Sequence, residues 1–199
     1  MSAPGIASTA PLKVWRDGRL VVNLPWALAV HAGDVVALRG DNGAGKTSIL
    51  LGCLGLLPST LTVLGRVGYV PQQLLQGAAA SLPVSLSDTL RLLGVAAPFH
   101  VSVIAAAGLG HPMRRPLAAL STGERTRLLV AAVVQARPEV LLLDEPTASL
   151  DAESRQRVLL QVAELAKGGA AVLLVSHNDD DIAALGARTV DVSAARETP

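Results

Sequence analysis

Aromatic side chains are scarce in this 199-residue chain, where two Trp, one Tyr and one Phe make up 2% of the residues. Trp15, Trp26, Tyr69 and Phe99 are too few to build a base-stacking platform, so single-stranded nucleic acid is not an expected partner. Charge of either sign is equally thin. Seventeen Lys and Arg against sixteen Asp and Glu leave a formal net charge of +1, and no strong field draws the chain to nucleic acid or to anionic lipid. The single cysteine, Cys53, excludes a disulfide framework and fits a reducing compartment; its place in a helix reads as a small core residue, not a redox group. Nowhere do about 18 apolar residues run without a charge, a proline or a glycine cluster, so no membrane-spanning helix is expected. Residues 1–11 have no charged and apolar regions of the signal-peptide kind and read as a short flexible lead.

What the chain has is apolar bulk. Half the residues are hydrophobic and 17% are charged, which excludes disorder and implies that some apolar surface meets a partner. The length suits one well-buried domain with a small insertion. Val35 to Leu38 is an apolar run suited to a buried parallel strand, and it feeds Gly40-Asp41-Asn42-Gly43-Ala44-Gly45-Lys46-Thr47-Ser48, which meets the pattern G-x-x-x-x-G-K-[ST]. Glycines let successive backbone N–H groups converge on phosphate oxygens, and the helix that follows adds its positive end. In such a loop Lys46 reaches the β- and γ-phosphates of a nucleoside triphosphate, and the Thr47 hydroxyl ligates Mg²⁺.

The chain around this loop predicts an α/β fold. Leu12–Val14 and Leu20–Val22 flank a turn at Arg16-Asp17-Gly18, and with Ala27–Val30 they form an N-terminal antiparallel β layer, with Trp26 packed along it. A helix runs from Ser48 to Leu57, and 61–70 is strand-prone. Residues 74–120 turn Ala/Leu-rich, with breaks at Pro83, Gly94, Pro98, Gly108, Gly110, Pro112 and Pro116, the pattern of an inserted α-helical subdomain. A helix over 122–135, a strand over 140–143, a helix over 152–166 and a strand over 171–175 complete a mostly parallel sheet. The domain plan is a lead (1–11), β layer and phosphate-loop core (12–73), helical subdomain (74–121), remainder of the core (122–192) and tail (193–199).

Val140-Leu141-Leu142-Leu143 ends in Asp144-Glu145, which places the acids at the C-terminal edge of the sheet beside the phosphate loop. Asp144 is the expected Mg²⁺ ligand. Glu145 is then free to act on the attacking water as a general base.

The order and spacing of Gly40 to Thr47, Gln72, Leu120-Ser121-Thr122-Gly123-Glu124, Val140 to Glu145, Ser149-Leu150-Asp151 and His177 resemble an ABC-transporter ATPase subunit over nearly the whole chain, about 12 to 192. The resemblance implies a P-loop NTPase core that binds ATP and Mg²⁺. It makes Gln72 the residue that links Mg²⁺ and water to the helical lobe, and His177 a contact of the γ-phosphate. Leu120 to Glu124 is similar to the family signature, usually L-S-G-G-Q, offered to ATP bound by a second copy; Thr122 and Glu124 depart from that form. The same residues also spell a capping box, Ser121 with Glu124. Asp151 would belong to a loop that crosses to the other copy. Adenine stacking falls to an aromatic residue upstream of the loop, and Trp15 is chosen. His31, His100 and His111 read as ordinary loop or surface residues.

The resemblance further implies a head-to-tail dimer around two ATP molecules at the cytoplasmic face of the membrane. Its partners would be a separate permease and, for an uptake system, a substrate-binding protein; nucleic acid is not among them. The segments 67–72 and 82–88, with Arg115-Pro116-Leu117, are similar to zinc and manganese uptake ATPases, while the chain's size also resembles haem-export subunits. Only 26 residues separate Lys46 from Gln72, so the hairpin common there is expected to be trimmed. A chromosome-maintenance or DNA-repair clamp shares these motifs, but needs long heptad helices that this chain does not contain.

Overall fold

The computed structural model describes residues 3–72, 84–110 and 113–193. Five strands form a parallel sheet in the order β10-β5-β9-β8-β7, made from β5 (Val35–Arg39), β7 (Val67–Val70), β8 (Val140–Asp144), β9 (Ala171–Val175) and β10 (Arg188–Asp191). Strands buried on both faces need apolar residues at every position, and β8 and β9 are buried throughout. Successive side chains point to opposite faces. Val36, Leu38, Leu142 and Leu173 therefore join a core with α1 (Lys46–Cys53) and the β layer, while Ala37, Leu141, Leu143, Val172 and Leu174 join a second core with α4 (Thr122–Gln135), α5 (Ala152–Lys167) and α6 (Asp179–Ala184).

The β layer contains a three-stranded antiparallel sheet in the order β4-β1-β6, from β1 (Gly5–Ser8), β4 (Ala29–His31) and β6 (Leu61–Leu64), and a hairpin of β2 (Leu12–Arg16) and β3 (Arg19–Leu24). The expected flexible lead over 1–11 is corrected here. β1 is the central strand of its sheet, and a Cβ at Gly5 would lie 2.5 Å from Val30 O, so this glycine serves close strand approach. The short interval after α1 holds β6 and β7, which belong to different sheets. Trp26 is not on a strand; it sits in the bend between β3 and β4, 38% exposed.

Within the helical subdomain α2 (Leu86–Leu92) and α3 (His100–Ala106) pack with α4 around Leu86, Leu90, Val103, Ile104, Leu120 and Leu128. His100 is corrected from a surface residue to a core one. It is 1% exposed, with Nδ1 3.1 Å from Ser87 Oγ and Nε2 3.0 Å from Val95 O. His111, Pro112, the break at Pro83 and Leu82 of the segment likened to metal-uptake ATPases lie outside the described residues. Among the described residues no helix is long and apolar enough to cross a membrane.

Candidate functional site

Parallel register brings three strand ends level. Val175 of β9 pairs with Leu38 of β5 on one side and Asp144 of β8 on the other. The phosphate loop, the two acids and the turn bearing His177 thus emerge side by side, as expected at the carboxyl edge of an α/β sheet. The loop is built on backbone that favours glycine: φ is 141° at Gly40, 81° at Gly43 and 93° at Gly45. Gly45 is also pinned from outside, because a Cβ there would lie 2.4 Å from Val22 Cγ2 of β3. The β layer thereby fixes the start of α1.

Lys46 is 7% exposed, and its ammonium donates to Gly40 O at 2.6 Å and Asp41 O at 2.9 Å. Thr47 Oγ1 donates to Asp144 Oδ2 at 3.0 Å. Burial of Asp144 raises its pKa, and the neighbouring Glu145 raises it further; the Thr47 hydrogen bond and Lys46 work in the opposite direction. A buried carboxylate whose charge is under-compensated, touching a hydroxyl, is a hard-oxygen donor set that suits Mg²⁺. Tyr69 on β7 feels the same carboxylate: burial, then the charge of Asp144, pushes its phenol up.

Glu145 stands at φ 50°, in the left-handed region, with its N–H on Val175 O at 3.1 Å. That strained backbone turns its carboxylate along the strand ends. Gln72 Nε2 donates to Oε2 at 2.8 Å, and His177 Nε2 lies 3.6 Å from Oε1. A cleft of about 600 Å³ opens here, lined by Arg16, Asn42, Lys46, Thr47, Gln72 and Glu145 among others. A second, of about 830 Å³, shares Asn42 and Glu145 and adds Gly40, Asp41 and His177. Ser48 is buried in the first turn of α1 and Ala44 in the loop before it. Gln72, Lys46, Thr47, Asp144, Glu145 and His177 therefore converge, as their motifs imply.

Six expected site residues lie elsewhere. Trp15 is half-buried on β2, and the cleft is lined by its neighbour Arg16, next to a bulge between Val14 and Trp15. Ser121, Thr122, Gly123 and Glu124 line neither cleft. Ser121 caps α4: its Oγ accepts from Glu124 N at 3.2 Å, and Glu124 Oε2 accepts from Ser121 N at 2.7 Å, so the capping box forms. Gly123 abuts the loop before α5, where a Cβ would lie 3.3 Å from Leu150 Cδ2. Asp151 caps α5 by accepting from Ser154 N at 2.8 Å, and that backbone hydrogen bond lowers its pKa.

Sequence reading missed a cluster behind the acids. Asp181 of α6, 1% exposed, accepts from Thr147 Oγ1, Arg155 Nε and, at 3.4 Å, Ser176 Oγ. Three consecutive acids after His177, with an arginine four residues after Asp151, were the available signal.

The ABC transporter family profile matches residues 25–148. The chain is 36% identical over 158 residues to the zinc import ATP-binding protein ZnuC of Pseudomonas aeruginosa, covering 76% of the chain and 58% of that relative's length. With the ZnuC of Ruegeria pomeroyi it is 36% identical over 185 residues, covering 89% of the chain and 71% of the relative. Among solved structures, an ATP-binding cassette captured as a dimer with ADP and phosphate after hydrolysis superposes with a TM-score of 0.75 at 19% identity, over 94% of this chain and 93% of that one. A bacterial Atm1-family ABC exporter with ATP bound gives 0.76 at 19%, over 92% of this chain and 36% of that one. At such identities the likeness is one of fold.

Proposed function

This chain belongs to the ABC transporter family, and from that premise we propose that it binds and hydrolyses ATP as the energising subunit of a transporter. One observation carries the reading: a single carboxylate, Glu145, is approached by Gln72 on one oxygen and His177 on the other, beside the Lys46, Thr47 and Asp144 cradle. The loop N–H groups of 40–47 bind the β- and γ-phosphates, and Lys46 exchanges its present carbonyl partners for phosphate oxygens. Thr47 and Asp144 would hold Mg²⁺, which would supply charge neutralisation at the phosphate oxygens. Glu145 orients water and accepts its proton as the water oxygen attacks the γ-phosphorus. The bond from that phosphorus to the bridging oxygen breaks, giving ADP and phosphate. His177 contacts the γ-phosphate and Gln72 holds the Glu145 carboxylate in line.

The signature Ser121 to Glu124 lines neither cleft of its own chain, which supports a second copy of the chain supplying it across ATP. Asp151 then lies in the loop facing that copy. Closing and reopening of the pair would drive a separate membrane permease from the cytoplasmic face, through the helical subdomain and the region of Gln72. Two relatives named for zinc import support zinc as cargo; a substrate-binding protein would deliver it. Both proposals are tested together in cells. Loss of this chain, or Lys46→Ala, is expected to abolish high-affinity uptake of radioactive zinc and to make growth depend on added zinc. Unchanged zinc uptake, with lost uptake or export of another solute, overturns the cargo; unchanged transport of every solute overturns the function.

A further inference from the structure

We propose that Asp181 is a positioning residue for hydrolysis, holding the loop that follows Glu145 in register with the turn that carries His177; this rests on the roles given above to those two residues. Asp181 touches neither phosphate-facing group. Its carboxylate instead gathers three segments. Oδ2 accepts from Thr147, two residues beyond Glu145, and from Ser176, the residue before His177. Oδ1 takes Nε of Arg155 on α5, whose other nitrogen donates to Asn178 Oδ1 at 2.6 Å. Asn178 N in turn donates to Ser176 Oγ at 3.1 Å. His177 is thus fixed on both sides, by Ser176 and Asn178, to the group that also fixes Thr147. Thr147 O accepts from Leu150 N at 3.1 Å, so the same anchor sets the turn that leads to Asp151.

The burial separates Asp181 from its neighbours. Asp179 and Asp180 are exposed and form surface ion pairs with Arg39 at 2.7 Å and Arg155 at 3.6 Å, whereas Asp181 is 1% exposed. A buried ion pair returns little net stability over apolar residues of the same volume, so its effect lies in the geometry it imposes. Here that geometry is the spacing of Glu145 and His177, now 3.6 Å.

The test is steady-state ATP hydrolysis by the full chain with Mg²⁺, comparing the parent, Asp181→Asn, His177→Ala and the double variant, with Lys46→Ala as the measure of specific turnover and thermal melts to establish folding. Asp181→Asn is expected to lower kcat by about tenfold or more with KM for ATP within about twofold, the pattern of an interaction felt in the transition state alone. His177→Ala is expected to cost much less in the Asp181→Asn background than in the parent, because the two act as one unit. A folded Asp181→Asn chain with parental kcat, or fully additive losses in the double variant, overturns the proposal. Should Asp181→Asn not fold, Thr147→Val removes one donor and leaves the Arg155 pair: a lowered kcat at unchanged KM supports the assignment, and an unchanged kcat overturns it. Absence of any Lys46-dependent turnover in the parent overturns the ATPase reading itself, and this proposal with it.

Discussion

Thr47 Oγ1 donates to Asp144 Oδ2 over 3.0 Å, so the first turn of α1 is tied directly to the end of β8 although 97 residues separate them. The contact exists because β5 and β8 both flank β9 and end level with it. Thr47→Val keeps the shape and removes the hydroxyl. ATP hydrolysis is expected to fall at least about a hundredfold, and Lys46→Ala to abolish it, since each removes charge stabilisation at the transferring phosphoryl group. Phosphate release from purified protein checks both, and parental rates in either variant would remove that residue from the site.

Asp144 gives a pH signature. Its folded pKa is raised by burial, so the folded chain binds this proton more tightly than the unfolded chain, and ionisation costs stability. The cost is absent below the ordinary carboxylate value of about 4 and grows as pH rises through the raised folded value. Asp144→Asn is therefore expected to melt higher than the parent at pH 7 without nucleotide. The gain should vanish toward pH 4, while Mg²⁺-dependent ATP hydrolysis is lost. Melting curves of both chains across that range check the sign.

The sequence makes Trp15 the expected adenine-stacking residue. Trp15→Ala is expected to weaken ATP binding by about threefold to tenfold, the range of a single aromatic contact. Trp26 was expected from the sequence to hold the fold, but it sits 38% exposed in a bend, and Trp26→Ala should shift the melting temperature little and ATP affinity not at all. Nucleotide titration of the two variants separates them. Equal affinity for parent and Trp15→Ala would pass the role to Arg16, which does line the cleft.

Cys53, the last residue of α1, faces the core at 7% exposed, and burial pushes its thiol up to about 12. At pH 8 only about one thiol in ten thousand is then a thiolate, the form that reacts. Alkylating reagents should leave the folded chain unlabelled and modify it stoichiometrically in denaturant. Rapid labelling of folded protein would contradict this burial.

The parallel sheet was legible because strands covered on both faces must be apolar at every position, and Val140-Leu141-Leu142-Leu143 and Ala171-Val172-Leu173-Leu174-Val175 are. The helix over 122–135 was legible from Ser121 and Glu124, whose capping box forms as the spacing requires. β1 was hidden because Gly5-Ile6-Ala7-Ser8 has one bulky apolar side chain and draws its place from partners at 29–31 and 61–64. His100 was hidden because a lone histidine does not announce that Ser87 and the Val95 carbonyl will meet its two nitrogens. In the site, residues tied to phosphate chemistry could be read one by one from their motifs. Asp181, Thr147 and Arg155 could not, since their contacts span 26 and 34 residues and depend on how α5 and α6 pack.

Turnover per chain as a function of protein concentration tests the two-copy site most directly. With Glu145→Gln and ATP, sedimentation should show a stable dimer that reverts to monomer when nucleotide is removed. In the parent chain, specific ATP hydrolysis should climb with concentration and fall away on dilution. A monomer that hydrolyses ATP at the same specific rate at every dilution would contradict it.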